Sequence, residues 1–259
     1  MNKIYLLLGL LPFIMACSNT EEIQDKTTNP QKEIFSLEIA YDGKCYNVPC
    51  SLDEEGNIEY LDTEFKELYD SEISQIPNLI TLSNGDNKVT YFHSTEDMFK
   101  ELNYTIVSSN IMPNESRALA DTFKGKVTLW DDTGFKDRSI SFEIGYHNIK
   151  EWPHLKYPFQ FNDKTSALKV YSLIPYNNYV IINNGIYSTN NLQVVFLGYE
   201  DDHYNGKVLT CIPPNSLDGI TPGEFSYDRL KNIGWNDKIT SIRLEIVYKG
   251  LLTNNNEAK

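Results

Sequence analysis

From residue 34 onward, apolar side chains recur mainly at every second position, the period of strands with one buried face. Phe35-Ser-Leu-Glu-Ile-Ala-Tyr41 alternates in this way, and Asp42-Gly43 supplies a hairpin turn into a partner strand over 44–49. Asp53-Glu-Glu-Gly56 predicts a second hairpin turn before Ile58-Glu-Tyr-Leu61, and Asn84-Gly85-Asp86 a third between Ile80-Thr-Leu82 and Lys88-Val-Thr-Tyr-Phe92. Two short helices interrupt the strands. Asp62 or Thr63 can cap one carrying Phe65, Leu68 and Tyr69, and Ser94-Thr-Glu-Asp97 can open another carrying Met98, Phe99 and Leu102. Residues 34–107 therefore read as a small β-rich or α+β module. Residues 108–121, with Pro113, Asn114 and Ser116, read as the linker after it.

Beyond the linker the chain repeats itself. One copy opens Lys126-Val-Thr-Leu-Trp130-Asp-Asp-Thr-Gly-Phe135-Lys-Asp137 and closes Phe161-Asn162-Asp163-Lys164-Thr165-Ser166-Ala167-Leu168. The other opens Val195-Phe-Leu-Gly-Tyr199-Glu-Asp-Asp-His-Tyr204-Asn-Gly206 and closes Trp235-Asn236-Asp237-Lys238-Ile239-Thr240-Ser241-Ile242. Tyr199 stands 69 residues after Trp130 and Asn236 stands 74 after Asn162, so both ends match in order and mark an internal duplication. Each copy begins with an alternating strand, then an aromatic, then a second aromatic after four more residues, a spacing that suits a hairpin folded over so that the rings pack together. The turn position that follows holds Gly206 or Asp137; glycine enters the left-handed region freely and aspartate at some cost. A long return connection then reaches the Asn-Asp bend and a last alternating strand. That is the order of a Greek key, and two such units can face each other as one sandwich. The predicted fold class is mainly β.

Residues 124 to 248 resemble a βγ-crystallin domain, a pair of Greek-key motifs each with an aromatic corner and an Asn/Asp-Asn/Asp-x-x-Ser/Thr-Ser signature. The second copy matches throughout; the first has Asp137 where glycine is usual and Ala167 where the final serine is usual. The resemblance implies a double Greek-key β-sandwich over 122–249. It also implies two calcium sites, each formed by the signature of one motif and the first loop of the other. One site would use Asn236, Asp237, the Lys238 carbonyl and the Thr240 hydroxyl, completed by backbone oxygen near Asp131. Its partner would use Asn162, Asp163, the Lys164 carbonyl and the Ser166 hydroxyl, completed near Glu200. Carboxylate, amide, hydroxyl and carbonyl oxygens suit calcium, and one carboxylate per site implies a dissociation constant in the roughly 10⁻⁶ to 10⁻³ M span. The same residues also build turns and caps, so a purely structural use of the signature stays open.

The start of the chain reads as a targeting segment. Met1-Asn2-Lys3 is a short basic start, and the apolar run from Ile4 to Met15 is too short to span a bilayer but right for a signal peptide over 1–16. Ile14-Met15-Ala16-Cys17 resembles the bacterial lipobox, which implies cleavage before Cys17, diacylglycerol in thioether linkage to it, and acylation of the new amino terminus. At about 0.8 kcal/mol per buried methylene, two or three acyl chains anchor stably in a lipid bilayer where one does not. Residues 17–33 are almost free of large apolar side chains and read as a disordered tether, and 250–259 as a disordered tail. Glu21-Glu22 resembles signals that send lipoproteins to the outer face of the outer membrane, so the expected location is lipid-anchored at the cell surface.

Net charge narrows the partners. With 23 basic against 36 acidic residues the chain carries −13, a field that repels phosphate backbones and excludes nucleic acid. Besides Cys17 there are Cys45, Cys50 and Cys211. Cys45 and Cys50 can close a disulfide if residues 46–49 turn, whereas a straight strand holds them too far apart. His93, His147, His154 and His203 are scattered without zinc spacing, and no Gly-x-Ser-x-Gly or phosphate loop occurs. Asp131-Asp132 and Asp201-Asp202 are adjacent and point to opposite faces of a strand, and Trp130, Trp152 and Trp235 read as core. The sequence thus reads as a non-enzymatic surface lipoprotein with a calcium-binding, stabilising or binding domain and a protein or glycan ligand that it does not identify. The alternatives are an extracellular peptidase inhibitor, because some secreted inhibitors resemble the same fold, and an enzyme with an unrecognised N-terminal site.

Overall fold

The computed structural model describes residues 32–85, 87–107, 111–113, 124–145, 147–174, 179–182, 185–216, 221–250 and 252. The segments read as signal peptide, tether up to residue 31, linker and tail, with Cys17, lie wholly or mostly outside the described residues. Among the described residues no helix is long and apolar enough to cross a membrane.

The N-terminal turn signals fold as read. Strands β1 (Phe35–Tyr41) and β2 (Lys44–Leu52) pair antiparallel across Asp42-Gly43, both with positive φ, and β3 (Ile58–Tyr60) continues the meander. Asp62 caps α1 (Thr63–Ser71) by accepting from the Phe65 N–H at 2.8 Å. Strands β4 (Ile80–Ser83) and β5 (Lys88–Phe92) form the third hairpin, and Ser94 caps α2 (Thr95–Glu101) through the Asp97 N–H at 3.1 Å. Strands β6 (Tyr104–Ile106) and β7 (Met112–Pro113) follow.

The first repeat supplies β8 (Lys124–Asp132), β9 (Lys136–Ile144), β10 (Ile149–Trp152) and β11 (Ala167–Leu173). A hairpin of β12 (Tyr179–Ile182) and β13 (Gly185–Ser188) occupies the connection and pairs with β7. The second repeat supplies β14 (Leu192–Asp201), β15 (Asn205–Cys211), β16 (Gly223–Tyr227) and β17 (Ser241–Lys249). One sheet runs β16-β11-β8-β9 and the other contains β10-β17-β14-β15. Each copy keeps its first, second and fourth strands together and lends its third to the other sheet, so the two Greek keys are laced into one sandwich. Val127, Leu129, Phe142 and Leu168 from one sheet bury with Val194, Phe196, Leu244 and Ile246 from the other, each side chain contributing about 1.5–3 kcal/mol.

Residues 34–107 do not stand apart as a module. Strand β4 pairs in parallel with β15, and the second sheet continues β15-β4-β5-β1-β2-β3, while β6 pairs with β17. Lys32–Lys259 form one compact unit. The cause lies in β14, where every residue from Val194 to Tyr199 is buried. Val194 and Phe196 enter the sandwich; on the opposite face Val195, Leu197 and Tyr199 cluster with Ile80, Leu82 and Phe92 of the neighbouring strands and with Met98 and Phe99 of α2. A strand covered on both faces reads as a continuous apolar run, and an exposed outer face would strip Val195, Leu197 and Tyr199 of their cover.

One smaller expectation is corrected, and at two boundaries folded contacts reach a residue or two beyond the expected limits. Cys45 and Cys50 sit in the same extended strand, one exposed and one buried, and both are free, as is Cys211. Five residues along a strand puts them on opposite faces and roughly 16 Å apart, far beyond disulfide reach. At the tail, Gly250 donates its N–H to the Asn103 carbonyl at 2.8 Å and accepts from Thr105 Oγ1 at 2.7 Å. At the tether, Lys32 pairs with Glu59 at 2.7 Å.

Glu245 in β17 is a charge on a buried face. It is 3% exposed, takes Arg243 Nη1 at 3.2 Å, and leaves Oε2 without a hydrogen bond among the described residues. Burial pushes its carboxyl pKa up, against the pull of Arg243, with Glu151 adding to the rise. Folded Glu245 therefore binds a proton more readily than unfolded Glu245, so its contribution to stability grows as pH falls through the raised value and is lost as pH rises through it. Urea unfolding at a series of pH values should show the natural chain gaining stability relative to Glu245→Gln as the solution is acidified; a pH-independent difference would contradict this.

Candidate metal centre

The duplication seen in the sequence is a duplication of backbone conformation. Positive φ recurs at Gly134 and His203 (69° and 58°), Phe135 and Tyr204 (59° and 63°), Asp137 and Gly206 (61° and 76°), and Asp163 and Asp237 (50° and 54°). Asp137 does take the left-handed turn that glycine takes in the other copy. The folded-over aromatic pairs are equally matched, with Trp130 on Phe135 at 5.2 Å and 69°, and Tyr199 on Tyr204 at 5.5 Å and 70°.

A bulge in each corner exposes the oxygen that the site needs. Register slips between Trp130 and Asp132 in β8, and between Tyr199 and Asp201 in β14, so Asp131 and Glu200 are the extra residues of two equivalent β-bulges. Their carbonyls, freed from the ladder, accept from Ser166 Oγ at 3.1 Å and from Thr240 Oγ1 at 3.0 Å. The backbone beneath is matched as well: Ser166 N–H reaches the Trp130 carbonyl and Thr240 N–H the Tyr199 carbonyl, both at 2.9 Å.

The structure groups the candidate ligands differently from the expected sets. Ser166 does not complete a set with Asp163; its hydroxyl lies 3.0 Å from Asp237 Oδ1, while Asp237 N–H donates to the Thr165 carbonyl at 3.0 Å. The hydroxyl stays with the first loop of its own copy, because Ala167 of β11 pairs directly with Trp130 of β8. The Asn-Asp bend reaches across the twofold. One oxygen cluster is therefore the Asp131 carbonyl, Ser166 and Asp237, with Asn236 Nδ2 holding Asp237 Oδ2 at 2.6 Å. The matching cluster is the Glu200 carbonyl and Thr240, with Asp163 electrostatically close to Asp202 and Asp201 and held by Asn162. Among the described residues, no Thr240 bond to Asp163 mirrors the one between Ser166 and Asp237. Lys164 and Lys238 contribute no side-chain ligand; no hydrogen bond takes either carbonyl among the described residues.

Electrostatically both bends favour a cation. The Asp163 carboxyl pKa is raised, first by burial and then by Asp202, Asp237 and Asp201, against the Asn162 bond. The Asp237 carboxyl pKa is raised by burial and by Asp131, against the Ser166 bond. No lysine or arginine ion-pairs with either among the described residues. At Asp237 Lys164 opposes the rise without pairing within 4.0 Å, and the converging Asp131 carbonyl, Ser166 hydroxyl and Asp237 carboxylate fit a hard divalent ion. Among the described residues no three His, Cys, Asp or Glu side chains gather as a metal cluster, so an ion here would depend on backbone and hydroxyl oxygen.

One pair beside the second bend escaped the sequence reading. His154 and His203 meet with ring centroids 4.4 Å apart at 90°, and His154 Nδ1 lies 3.3 Å from Asp202 Oδ2. They meet because His203 N–H donates to the Pro153 carbonyl at 3.1 Å, the counterpart of Gly134 N–H on the Asp228 carbonyl at 2.8 Å. The repeat offsets alone carry that signal. Of the three tryptophans read as core, only Trp235 is buried; Trp152 is half-buried on Phe142 at 4.8 Å, and Trp130 is half-buried against Phe135 in its corner.

No family model and no curated protein matches the chain. Among solved structures it is similar to a beta gamma crystallin from Ciona intestinalis, with 19% identity over 45% of this chain and 95% of that one and a TM-score of 0.26.

Proposed function

We propose that this chain is a non-enzymatic, lipid-anchored protein of the bacterial outer surface whose double Greek key is of the βγ-crystallin kind and takes up calcium in its two bends. The ion would stabilise a binding domain rather than take part in a reaction. The observation that carries the reading is the meeting of Asp131 carbonyl, Ser166 hydroxyl and Asp237 carboxylate across the twofold, at 3.0 to 3.1 Å. In this reading Asp131, Ser166 and Asp237 hold one ion, and Glu200, Thr240 and Asp163 the other, with the Lys164 and Lys238 carbonyls and water filling remaining positions. Calcium would replace the hydroxyl hydrogen bonds as the partner of these oxygens and neutralise the two acidic bends.

Thermal unfolding tests it. An ion that binds only the folded chain stabilises by about 2.7 kcal/mol at a hundredfold excess over its dissociation constant. Calcium should therefore raise the melting temperature relative to chelator, Asp237→Ala should remove most of the gain, and Asp163→Ala combined with it should abolish the gain. Identical melting curves in calcium and in chelator would end the calcium reading.

A further inference from the structure

Where the N-terminal strands meet the second Greek key, the molecule forms an open recess of about 160 Å³. One wall is Tyr60 of β3, Tyr69 of α1 and Tyr91 of β5; the other is Glu200, Lys207, Trp235 and Lys238. A void of roughly 150 Å³ accepts a benzene ring, so the recess has room for one six-membered ring. Its floor is aromatic: Tyr60, Tyr91 and Trp235 are at most 8% exposed, and the two tyrosine hydroxyls share a hydrogen bond at 3.2 Å.

The charges around it are unbalanced. Lys207 and Lys238 converge on the recess, and among the described residues neither makes an ion pair within 4.0 Å. Lys238 is half-buried, with Glu200 in the same lining. The lining thus holds two ammonium groups against the single carboxylate of Glu200, in a chain whose net charge is −13. Two partly desolvated cations with one carboxylate between them are costly, and a bound anion would relieve them.

Hydrogen-bonding groups fill the remaining directions: the Asn57 amide, the Thr81 hydroxyl and the Glu200 carboxylate. An aromatic acid would fill the volume and leave these unpaired, and a neutral sugar would leave the lysines unpaired. We propose that the cavity binds a sugar acid, a single pyranose ring carrying hydroxyl groups and one carboxylate. The carboxylate faces Lys207 and Lys238, ring hydroxyls donate to Glu200, and the ring lies on Trp235 and the tyrosines. This goes beyond the calcium reading and does not depend on it.

The test is a titration of the full chain, solubilised in detergent, with sodium glucuronate, glucose and benzoate, each in calcium and in chelator, followed by tryptophan fluorescence and ligand-observed NMR. A ligand of so few atoms should reach a dissociation constant on the order of 1 mM for glucuronate. Glucose and benzoate should bind about tenfold more weakly, because each leaves one set of partners unpaired. Lys207→Gln and Lys238→Gln should each weaken glucuronate about tenfold and leave glucose unchanged. Lys207→Gln should also keep the calcium response of the melting temperature, which separates failure here from failure of the calcium reading. Absence of a glucuronate response, equal binding of glucuronate and glucose or benzoate, or indifference to Lys207→Gln would overturn the proposal.

Discussion

Deleting residues 1–107 is expected to give an aggregating chain rather than a free-standing Greek-key domain. The deletion removes β4, so residues Val208 to Cys211 of β15 lose their parallel partner and become an open apolar edge. It also removes Ile80, Leu82, Phe92, Met98 and Phe99 from the face formed by Val195, Leu197, Tyr199, Val208 and Val247. At about 1.5–3 kcal/mol for each large side chain, losing five of them costs on the order of 10 kcal/mol, comparable with the entire stability of a domain. The intact chain should accordingly melt in one transition, where two independent modules would give two. Size-exclusion chromatography and circular dichroism of residues 108–259 would settle the matter; a soluble monomer with an undiminished melting temperature would show that the sheet extension is dispensable.

That outcome is decided by contacts a sequence expresses poorly. Hairpins were legible because their determinants are local: Asp42-Gly43 and Asn84-Gly85 sit between strands that pair across them, and Asp62 and Ser94 cap the helices they precede. The duplication was legible because backbone conformation is set residue by residue, so equal spacings gave equal positive φ at Asp163 and Asp237 and equal ring packing in both corners. The parallel pair β4–β15 joins residues more than a hundred positions apart, and no turn announces it. Its only trace was the unbroken apolar run Val194-Val-Phe-Leu197, which marks a strand covered on both faces.

The candidate site divides along the same line. The residue types in each bend were readable, and the gathering of Asp131, Ser166 and Asp237 falls among them. Which hydroxyl joins which carboxylate was not, because it depends on the pairing of β8 with β11, which keeps Ser166 beside its own corner while Asp237 crosses the twofold. The cavity between Tyr60 and Lys238 was invisible for a stronger reason: its two walls come from segments that the sequence assigns to separate modules.

Phe196→Ala should cost 3–5 kcal/mol, as truncation of a buried Phe does at about that size. Phe196 is fully buried in β14 and pairs across to Leu244 and Cys211. Its ring lies over the backbone of Gly198: a Cβ built there would stand 3.0 Å from Phe196 Cζ and 3.1 Å from Ile239 Cδ1. Gly198 is thus bare so that the ring can reach Ile239, the residue between Lys238 and Thr240. Removing the ring leaves a void under the bend that presents Thr240 to Glu200, so stability and the calcium response should fall together. Phe196→Leu keeps most of the volume and should cost roughly 1 kcal/mol. Urea unfolding of both variants, with and without calcium, separates the effects. A loss below about 1 kcal/mol for the alanine variant would mean that the site relaxes around the void. A full loss with an intact calcium response would mean instead that the bend is held by its own hydrogen bonds and not by the core beneath it.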